Sequence, residues 1–156
     1  MKRLFVALFI IFFMNTLACT TGSNSKIKTN LPPSVADALT QHGAKWIKMG
    51  SDLFKEGLYQ HAIEALNNAI EINPQDASVY LLRGTAYYKL RQYNPTINDF
   101  NKAIELNPED PAGYYCRGLA YDSLGNENQA IQDMKKAAKQ NFKLAQDFLS
   151  NKKIEW

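Results

Sequence analysis

The sequence predicts an all-α protein, built as a solenoid of helical repeats, and two observations lead to this fold class. Shifting the chain against itself by 34 residues aligns AIEINPQD, which begins at Ala69, with AIELNPED, which begins at Ala103. Small residues and aromatic residues recur in the same register, as expected where two helices approach closely and large side chains fill the space on either side. The period defines three units, at residues 43–76, 77–110 and 111–144.

Composition limits the chain to one ordinary globular domain. It has 156 residues, of which 46% are hydrophobic and 21% are charged. The formal net charge of +3 is too small for the concentrated basic face of a nucleic-acid binder. The two cysteines, Cys19 and Cys116, are too few for a disulfide framework, and neither has a Cys or His neighbour at metal-ligand spacing. We therefore expect no nucleic-acid partner and no metal.

The first eighteen residues have the pattern of an export signal. Lys2 and Arg3 give a positive start, and residues 4–14 form an unbroken apolar run that is too short to span a bilayer. We predict that residues 1–18 are a signal peptide. Its removal deletes two basic residues and no acidic one, so the formal net charge falls from +3 to +1.

A lone cysteine follows the signal at the place where cleavage would occur. Ala18 and Cys19 resemble the end of a bacterial lipobox, although Thr16 stands where an aliphatic residue is favoured. This resemblance implies that Cys19 is lipidated, and Thr20 after it implies an outer-membrane lipoprotein facing the periplasm if the source is Gram-negative. The alternative is simple cleavage, which leaves Cys19 as a thiol that can pair with Cys116. Both readings export the protein.

Residues 19–42 are rich in Thr, Ser, Asn, Gly and Lys, which predicts a flexible tether. Pro33 suits the first turn of a helix, so a short leading helix over residues 34–41 fits within this tether. We expect the first repeat unit to begin at residue 43.

The 34-residue period and its residues resemble the tetratricopeptide repeat family. The matching positions are Trp46, Met49, Gly50, Leu53, Ala62, Leu66, Ala69 and Pro74 in the first unit, Tyr80, Arg83, Gly84, Tyr87, Thr96, Phe100, Ala103 and Pro108 in the second, and Tyr114, Arg117, Gly118, Tyr121, Ala130, Met134 and Ala137 in the third. The resemblance implies a right-handed solenoid of three helix-turn-helix units. Phe142 replaces the closing proline of the third unit, so no standard fourth unit is expected.

Residues 145–156 are predicted to form a capping helix. Leu144 and Phe148 are spaced by four residues, and Ala145 and Leu149 lie beside them. Such an apolar face would close the open end of the last helix pair.

Two arginines, Arg83 and Arg117, stand where the family usually has an aliphatic residue, so they need a partner if they are partly buried. Each has an aspartate at the matching point of the second helix of its unit, whereas the first unit has an apolar residue at both positions. This covariation predicts bidentate ion pairs of Arg83 with Asp99 and of Arg117 with Asp133. A ligand carboxylate is the alternative partner of the arginines.

The family resemblance also implies a concave groove, formed by the first helices, that binds an extended or helical segment of a partner protein. The groove positions are Ile47, Ser51, Phe54, Leu81, Leu82, Thr85, Tyr88, Tyr115, Leu119 and Asp122. An exposed apolar run of this kind indicates a bound segment, which is a partner peptide, the chain's own tether or cap, or a second copy.

One specificity within the family is not expected. The clamp for a partner's C-terminal carboxylate needs Lys and Asn in the groove, and the corresponding residues here are Ile47, Ser51, Leu82, Ala112 and Cys116. An apolar or amphipathic partner helix fits better.

The sequence offers no recognisable catalytic apparatus. It has only two histidines, His42 and His61, neither in a triad spacing, and it contains no phosphate-binding loop. We therefore expect a non-enzymatic adaptor or scaffold of the bacterial envelope without a cofactor. The alternative is a structural, homo-oligomeric envelope component that self-associates through the same apolar surfaces.

Overall fold

The computed structural model describes residues 32–156, and the regular elements of this part of the chain are seven helices. Their bounds are α1 (Pro33–Lys55), α2 (Tyr59–Ile72), α3 (Ala77–Lys89), α4 (Tyr93–Leu106), α5 (Pro111–Ser123), α6 (Glu127–Lys139) and α7 (Lys143–Asn151). The predicted signal peptide, Cys19 and the tether up to residue 31 lie outside the described residues.

The helices pack in consecutive pairs, as the all-α repeat prediction requires. The closest packing joins α1 to α2, α3 to α4 and α5 to α6, and the second helix of each pair also packs against the next helix in the chain. Asp76 and Asp110 precede α3 and α5, and the side chain of each accepts a hydrogen bond from the backbone N–H two residues later. The predicted fold class is confirmed.

The first helix is longer than predicted. Helix α1 begins at Pro33 and has 23 residues, whereas α3 and α5 have 13 each. Residues 33–42, predicted as the end of the tether with room for a separate short helix over residues 34–41, are therefore continuous with the first helix of the repeat. Pro33 lies in the first turn, where its missing N–H costs no hydrogen bond. Gly43 lies inside this helix and is buried. Its lack of a side chain suits close packing, since a Cβ there would lie 3.3 Å from Cγ2 of Ile72.

The two helices of a pair cross at small residues. In the second unit, a Cβ added at Gly84 would lie 2.8 Å from the ring of Phe100, which is itself 1% exposed. Thr96 is fully buried beside this crossing, and its hydroxyl donates to the carbonyl of Gln92 at 2.8 Å. The helices of this pair can approach closely because glycine leaves room for the phenylalanine ring.

Helix α7 caps the third pair, with bounds 143–151 in place of the predicted 145–156. Ala145 and Leu149 are fully buried against Met134, and Phe148 packs beside them. Leu144 differs from the prediction, because it is 55% exposed. Neighbouring residues on a helix point about 100° apart. Ala145 and Leu149 lie on the side of α7 that faces the core, so Leu144 points toward solvent.

The opposite end of the described array is charged. Four side chains line a hollow of about 330 Å³ on α1 around Met49 and Leu53, namely Lys45, Lys48, Asp52 and Glu56. The positions 34 residues later on α3 are apolar: Val79, Leu82, Ala86 and Leu90. Of these, Val79 and Leu82 pack against a buried cluster of the first unit. This side of α1 therefore does not resemble a surface for stacking another repeat.

The turn after the first helix of each unit contains one residue with a positive φ. These residues recur at the repeat period, as Gly57 (φ 79°), Arg91 (φ 58°) and Gly125 (φ 75°). The left-handed conformation carries no steric penalty for glycine but strains a residue with a Cβ. The second unit therefore contains a strained turn.

We expect Arg91→Gly to raise the free energy of unfolding by about 1 kcal/mol, because it removes this strain. Arg91 is exposed, so little packing is lost. Arg91→Ala is the matched control, since it removes the guanidinium and keeps the Cβ. Urea denaturation of the three proteins measures the effect, and equal stabilisation by Ala and Gly would contradict it.

Candidate functional site

The first helices of the three units lie beside one another, as the predicted groove requires. Helix α3 contacts both α1 and α5, and the hydroxyl groups of Tyr88 and Ser123 hydrogen-bond at 2.9 Å between α3 and α5. All ten predicted groove residues are half-buried: Ile47, Ser51, Phe54, Leu81, Leu82, Thr85, Tyr88, Tyr115, Leu119 and Asp122. The side chains are therefore partly available to a ligand and partly packed.

Ile47 and Leu82 make core contacts that the groove prediction did not include. Both pack against the cluster of Leu66, Ala69 and Val79, at the joint between the first two units. Leu81 and Leu82 are adjacent on α3, so they point about 100° apart and cannot both face one groove. Leu82 belongs with the joint, whereas Leu81 stays a predicted groove residue.

Two aromatic pairs form one edge of the groove. Phe54 and Tyr59 have ring centroids 5.3 Å apart at an interplanar angle of 62°, and Tyr88 and Tyr93 have centroids 5.9 Å apart at 63°. Both pairs adopt the edge-on arrangement that aromatic rings favour. Sequence reasoning missed Tyr59 and Tyr93, although they follow the same 34-residue period as Phe54 and Tyr88.

The third unit has two carboxylates where the first two units have these aromatic pairs. Asp122 and Glu127 lie 34 residues after Tyr88 and Tyr93. Both bind the ammonium group of Lys152, whose Nζ lies 3.1 Å from Oδ1 of Asp122 and 3.2 Å from Oε1 of Glu127. Hydrogen bonds to these two carboxylates raise the pKa of Lys152 above its usual value. We call these three side chains the clasp.

The C-terminal cap also covers apolar residues of the third unit. The ring of Tyr115 lies 5.1 Å from that of Phe142, between centroids. Tyr115 and Leu119 pack, together with Phe148 and Ile154, against the buried cluster around Met134. The alternative that the chain covers its own groove therefore applies to the third unit.

Both predicted ion pairs are present and bidentate. Nε and Nη2 of Arg83 donate to the two carboxylate oxygens of Asp99 at 2.8 and 2.6 Å. Arg117 and Asp133 repeat this arrangement at 2.8 and 2.7 Å. The aspartate side chains are only 7% and 9% exposed. Hydrogen bonding to the aspartate raises the pKa of each arginine above its usual value. Because both oxygens of each aspartate accept hydrogen bonds from its arginine, we interpret Arg83 and Arg117 as structural residues.

Each arginine also binds an asparagine of the preceding unit. Nη1 of Arg83 donates to Oδ1 of Asn67 at 2.7 Å, and Nη1 of Arg117 donates to Oδ1 of Asn101 at 2.6 Å. Sequence reasoning missed both asparagines, although they follow the 34-residue period. Because the network spans two units, an arginine on α1 would find no such asparagine among the described residues. Met49 stands there instead.

Cys116, His42 and His61, the remaining reactive side chains of the described residues, do not form a catalytic or metal-binding cluster. Burial raises the pKa of the Cys116 thiol to about 11, so it is protonated at neutral pH. His42 accepts a hydrogen bond from Nε1 of Trp46 at 3.1 Å, and His61 is exposed on α2. Among residues 32–156, no group of three or more His, Cys, Asp or Glu side chains is placed to hold a metal ion. None of the helices described is both long and apolar enough to cross a membrane.

The paired helices, their glycine crossings and the shared groove define a helical repeat protein of the tetratricopeptide class. Family models described as TPR repeat and tetratricopeptide repeat match residues 50–91, 77–110 and 100–132, which together span more than half of the chain. The chain belongs to the tetratricopeptide repeat family. No curated protein sequence matches it significantly.

Solved structures support the same assignment. The second TPR domain of human RPAP3, in complex with the HSP70 peptide SGPTIEEVD, is 28% identical with a TM-score of 0.69, over 75% of this chain and 99% of that one. The second TPR of Spaghetti (RPAP3), bound to the HSP90 peptide SRMEEVD, is 28% identical with a TM-score of 0.65, over 69% and 98%. MamA is also 28% identical with a TM-score of 0.65, over 72% of this chain and 67% of that one.

Proposed function

We propose that this protein is a non-enzymatic adaptor that holds a segment of a partner protein in the groove formed by α1 and α3. The observation that carries the proposal is the half-buried row of Phe54, Leu81 and Tyr88, whose aromatic members pair with Tyr59 and Tyr93. Aromatic side chains supply much of the binding energy of protein interfaces. Peptide complexes of the similar RPAP3 domains support the same use of the fold.

The partner segment is proposed to be apolar or amphipathic. The edge pairs offer ring faces and hydroxyl groups, and Leu81 offers an aliphatic surface, as suits an amphipathic helix laid in a groove. The corresponding clamp positions lack the Lys and Asn residues that bind a C-terminal carboxylate. The peptide SRMEEVD, bound by the similar Spaghetti domain, is therefore a suitable negative control.

Site-specific photo-crosslinking in the native host tests this function. A benzophenone amino acid at Leu81 in the groove should trap one defined protein, and the same group at exposed His61 on α2 should not. Thr85→Arg introduces a bulky charge in the groove and should abolish the crosslink, whereas Asn98→Arg places the same charge at an exposed site on α4 and should not.

The crosslinks also separate the two candidate functions. A crosslink from Leu81 to a second copy of the chain would support the self-associating envelope component and overturn the adaptor. Equal crosslinking from Leu81 and His61 would show that the groove is not a specific site.

We further propose that the adaptor is exported and anchored by a lipid on Cys19, as an outer-membrane lipoprotein facing the periplasm. The supporting pattern is the apolar run of residues 4–14 followed by Ala18 and Cys19. Labelling with a palmitate analogue should mark the wild-type chain and not Cys19→Ala, which should leave the membrane fraction. An unchanged mass and location of Cys19→Ala would contradict the anchor, without bearing on the groove.

A further inference from the structure

Residues 152–156, which we call the strap, follow α7 and return to the surface of the third unit. We propose that the strap is an autoinhibitory contact: it covers Asp122 at the third level of the groove, and its release makes this carboxylate edge available to a partner segment. This inference rests on the proposed adaptor function and adds a regulation to it. The third level comprises Tyr115, Leu119 and Asp122, in register with the predicted groove positions of the first two units.

The backbone directs the strap back toward the body of the protein. Lys153 has a φ of 57°, which reverses the chain after α7. The N–H of Lys153 donates to the carbonyl of Ser150, and the N–H of Ile154 donates to the carbonyl of Leu149, both at 2.9 Å. Ile154 thereby packs against the buried cluster around Met134, in which Leu119 also takes part.

The clasp attaches the strap to the groove itself. The ammonium group of Lys152 lies between Asp122, a groove residue on α5, and Glu127, the first residue of α6. It also lies 5.2 Å from the centroid of the Phe148 ring, within the range of a cation–π contact. The clasp fills the position at which the first two units present an open aromatic pair.

The ion pairs of the strap are exposed, and Ile154 is its one half-buried side chain. The side chains of Lys152, Asp122 and Glu127 are 34%, 37% and 64% exposed, and exposed ion pairs contribute little and are screened by salt. The ion pairs of Arg83 and Arg117 are much more buried. Ala145 and Leu149 hold α7 in place independently of the clasp. Release of the strap therefore frees the carboxylates of Asp122 and Glu127 without dismantling the cap, whose Phe142 and Phe148 stay packed.

Hydrogen exchange in the full chain tests the attachment. We expect Lys152→Ala to accelerate exchange of the Ile154 amide at least fivefold, as measured by NMR, while the amides of Ala145 and Leu149 stay protected. Lys143→Ala is the matched control, because Lys143 forms an exposed ion pair with Asp147 on the same helix and does not touch the groove. Unchanged exchange at Ile154, or faster exchange throughout α7, would overturn the proposal.

A peptide of residues 148–156, which contains the strap, is the probe for occupancy of the third level. We expect it to bind the full chain ending at Asn151 at least tenfold more tightly than the intact chain, and to lose that binding when Asp122→Asn and Glu127→Gln are combined. Thermal melts verify folding, and Lys152→Ala replaces the truncation if the shortened chain does not fold.

If the peptide bound the intact chain and the chain ending at Asn151 equally well, or bound neither, the proposed contact of the strap with the third level would be wrong. These measurements need no natural partner and concern the third level, whereas crosslinking from Leu81 reports on the second. Failure of the strap and failure of the adaptor are therefore distinguishable.

Discussion

Replacing Asp99 by alanine is expected to lower the free energy of unfolding by about 3 kcal/mol, because it leaves the charge of Arg83 partly buried without its carboxylate. The side chains of Arg83 and Asp99 are 19% and 7% exposed, so water compensates poorly for the lost bonds. Urea denaturation of the full chain measures the effect. Lys102→Ala, which breaks an exposed pair with Glu105, is the control and should change stability by less than about 1 kcal/mol.

The double variant Arg83→Met, Asp99→Ala tests the cause. It installs in the second unit the pair that the first unit already has, Met49 and Ala65. Because no unpaired charge remains, stability should return to within about 1 kcal/mol of wild type. A double variant as unstable as Asp99→Ala alone would show that the loss came from packing around the aspartate.

Replacing Phe100 by alanine is expected to lower the free energy of unfolding by about 4 kcal/mol, the middle of the range for a fully buried aromatic ring. The ring is 1% exposed and lies against Gly84, where an added Cβ would be only 2.8 Å from it. Gly84→Ala alone should therefore cost about 2 kcal/mol through overpacking. Chemical denaturation of both single variants and of the double variant completes the measurement.

The double variant should be more stable than Phe100→Ala. Once the ring is gone, the new methyl group of Gly84→Ala loses its two closest contacts and keeps only that with Cβ of Asp99 at 3.1 Å. Alanine also favours a helix over glycine by about 1 kcal/mol. Additive losses would mean that the glycine is required for a reason other than the ring. Such a result would remove the packing explanation for this crossing.

The three levels of the groove differ in what they offer a partner. The first two present aromatic pairs, Phe54 with Tyr59 and Tyr88 with Tyr93, whereas the third presents the clasp. A partner segment that engages the first two levels meets the strap at the third. This arrangement makes the length of the bound segment dependent on the strap, a consequence of the two proposals together.

Much of the fold follows from the sequence because repeated environments leave a repeated pattern. Gly84 and Gly118 recur with an aromatic or large apolar partner on the opposite helix, and Arg83 and Arg117 recur with an aspartate. A contact made within one unit is copied into the next at a fixed spacing, so one sequence is enough to detect it. The ion pairs were predictable for this reason.

The ends of the array were less predictable, since their contacts have no second copy. The long first helix extends to Pro33 because nothing in residues 33–42 stops a helix, although their polar composition resembles a linker. At the other end, Lys152 reaches Asp122 and Glu127 across 30 and 25 residues, spacings that do not match the repeat.

The sequence by itself determined the repeat period, the family and the pairing of arginine with aspartate. The tertiary structure alone decided that Leu82 packs in the joint between units and that Lys152 pairs with Asp122. The physical reason is that helical periodicity dictates which residues share a face, whereas the cover over that face depends on chain segments distant in sequence.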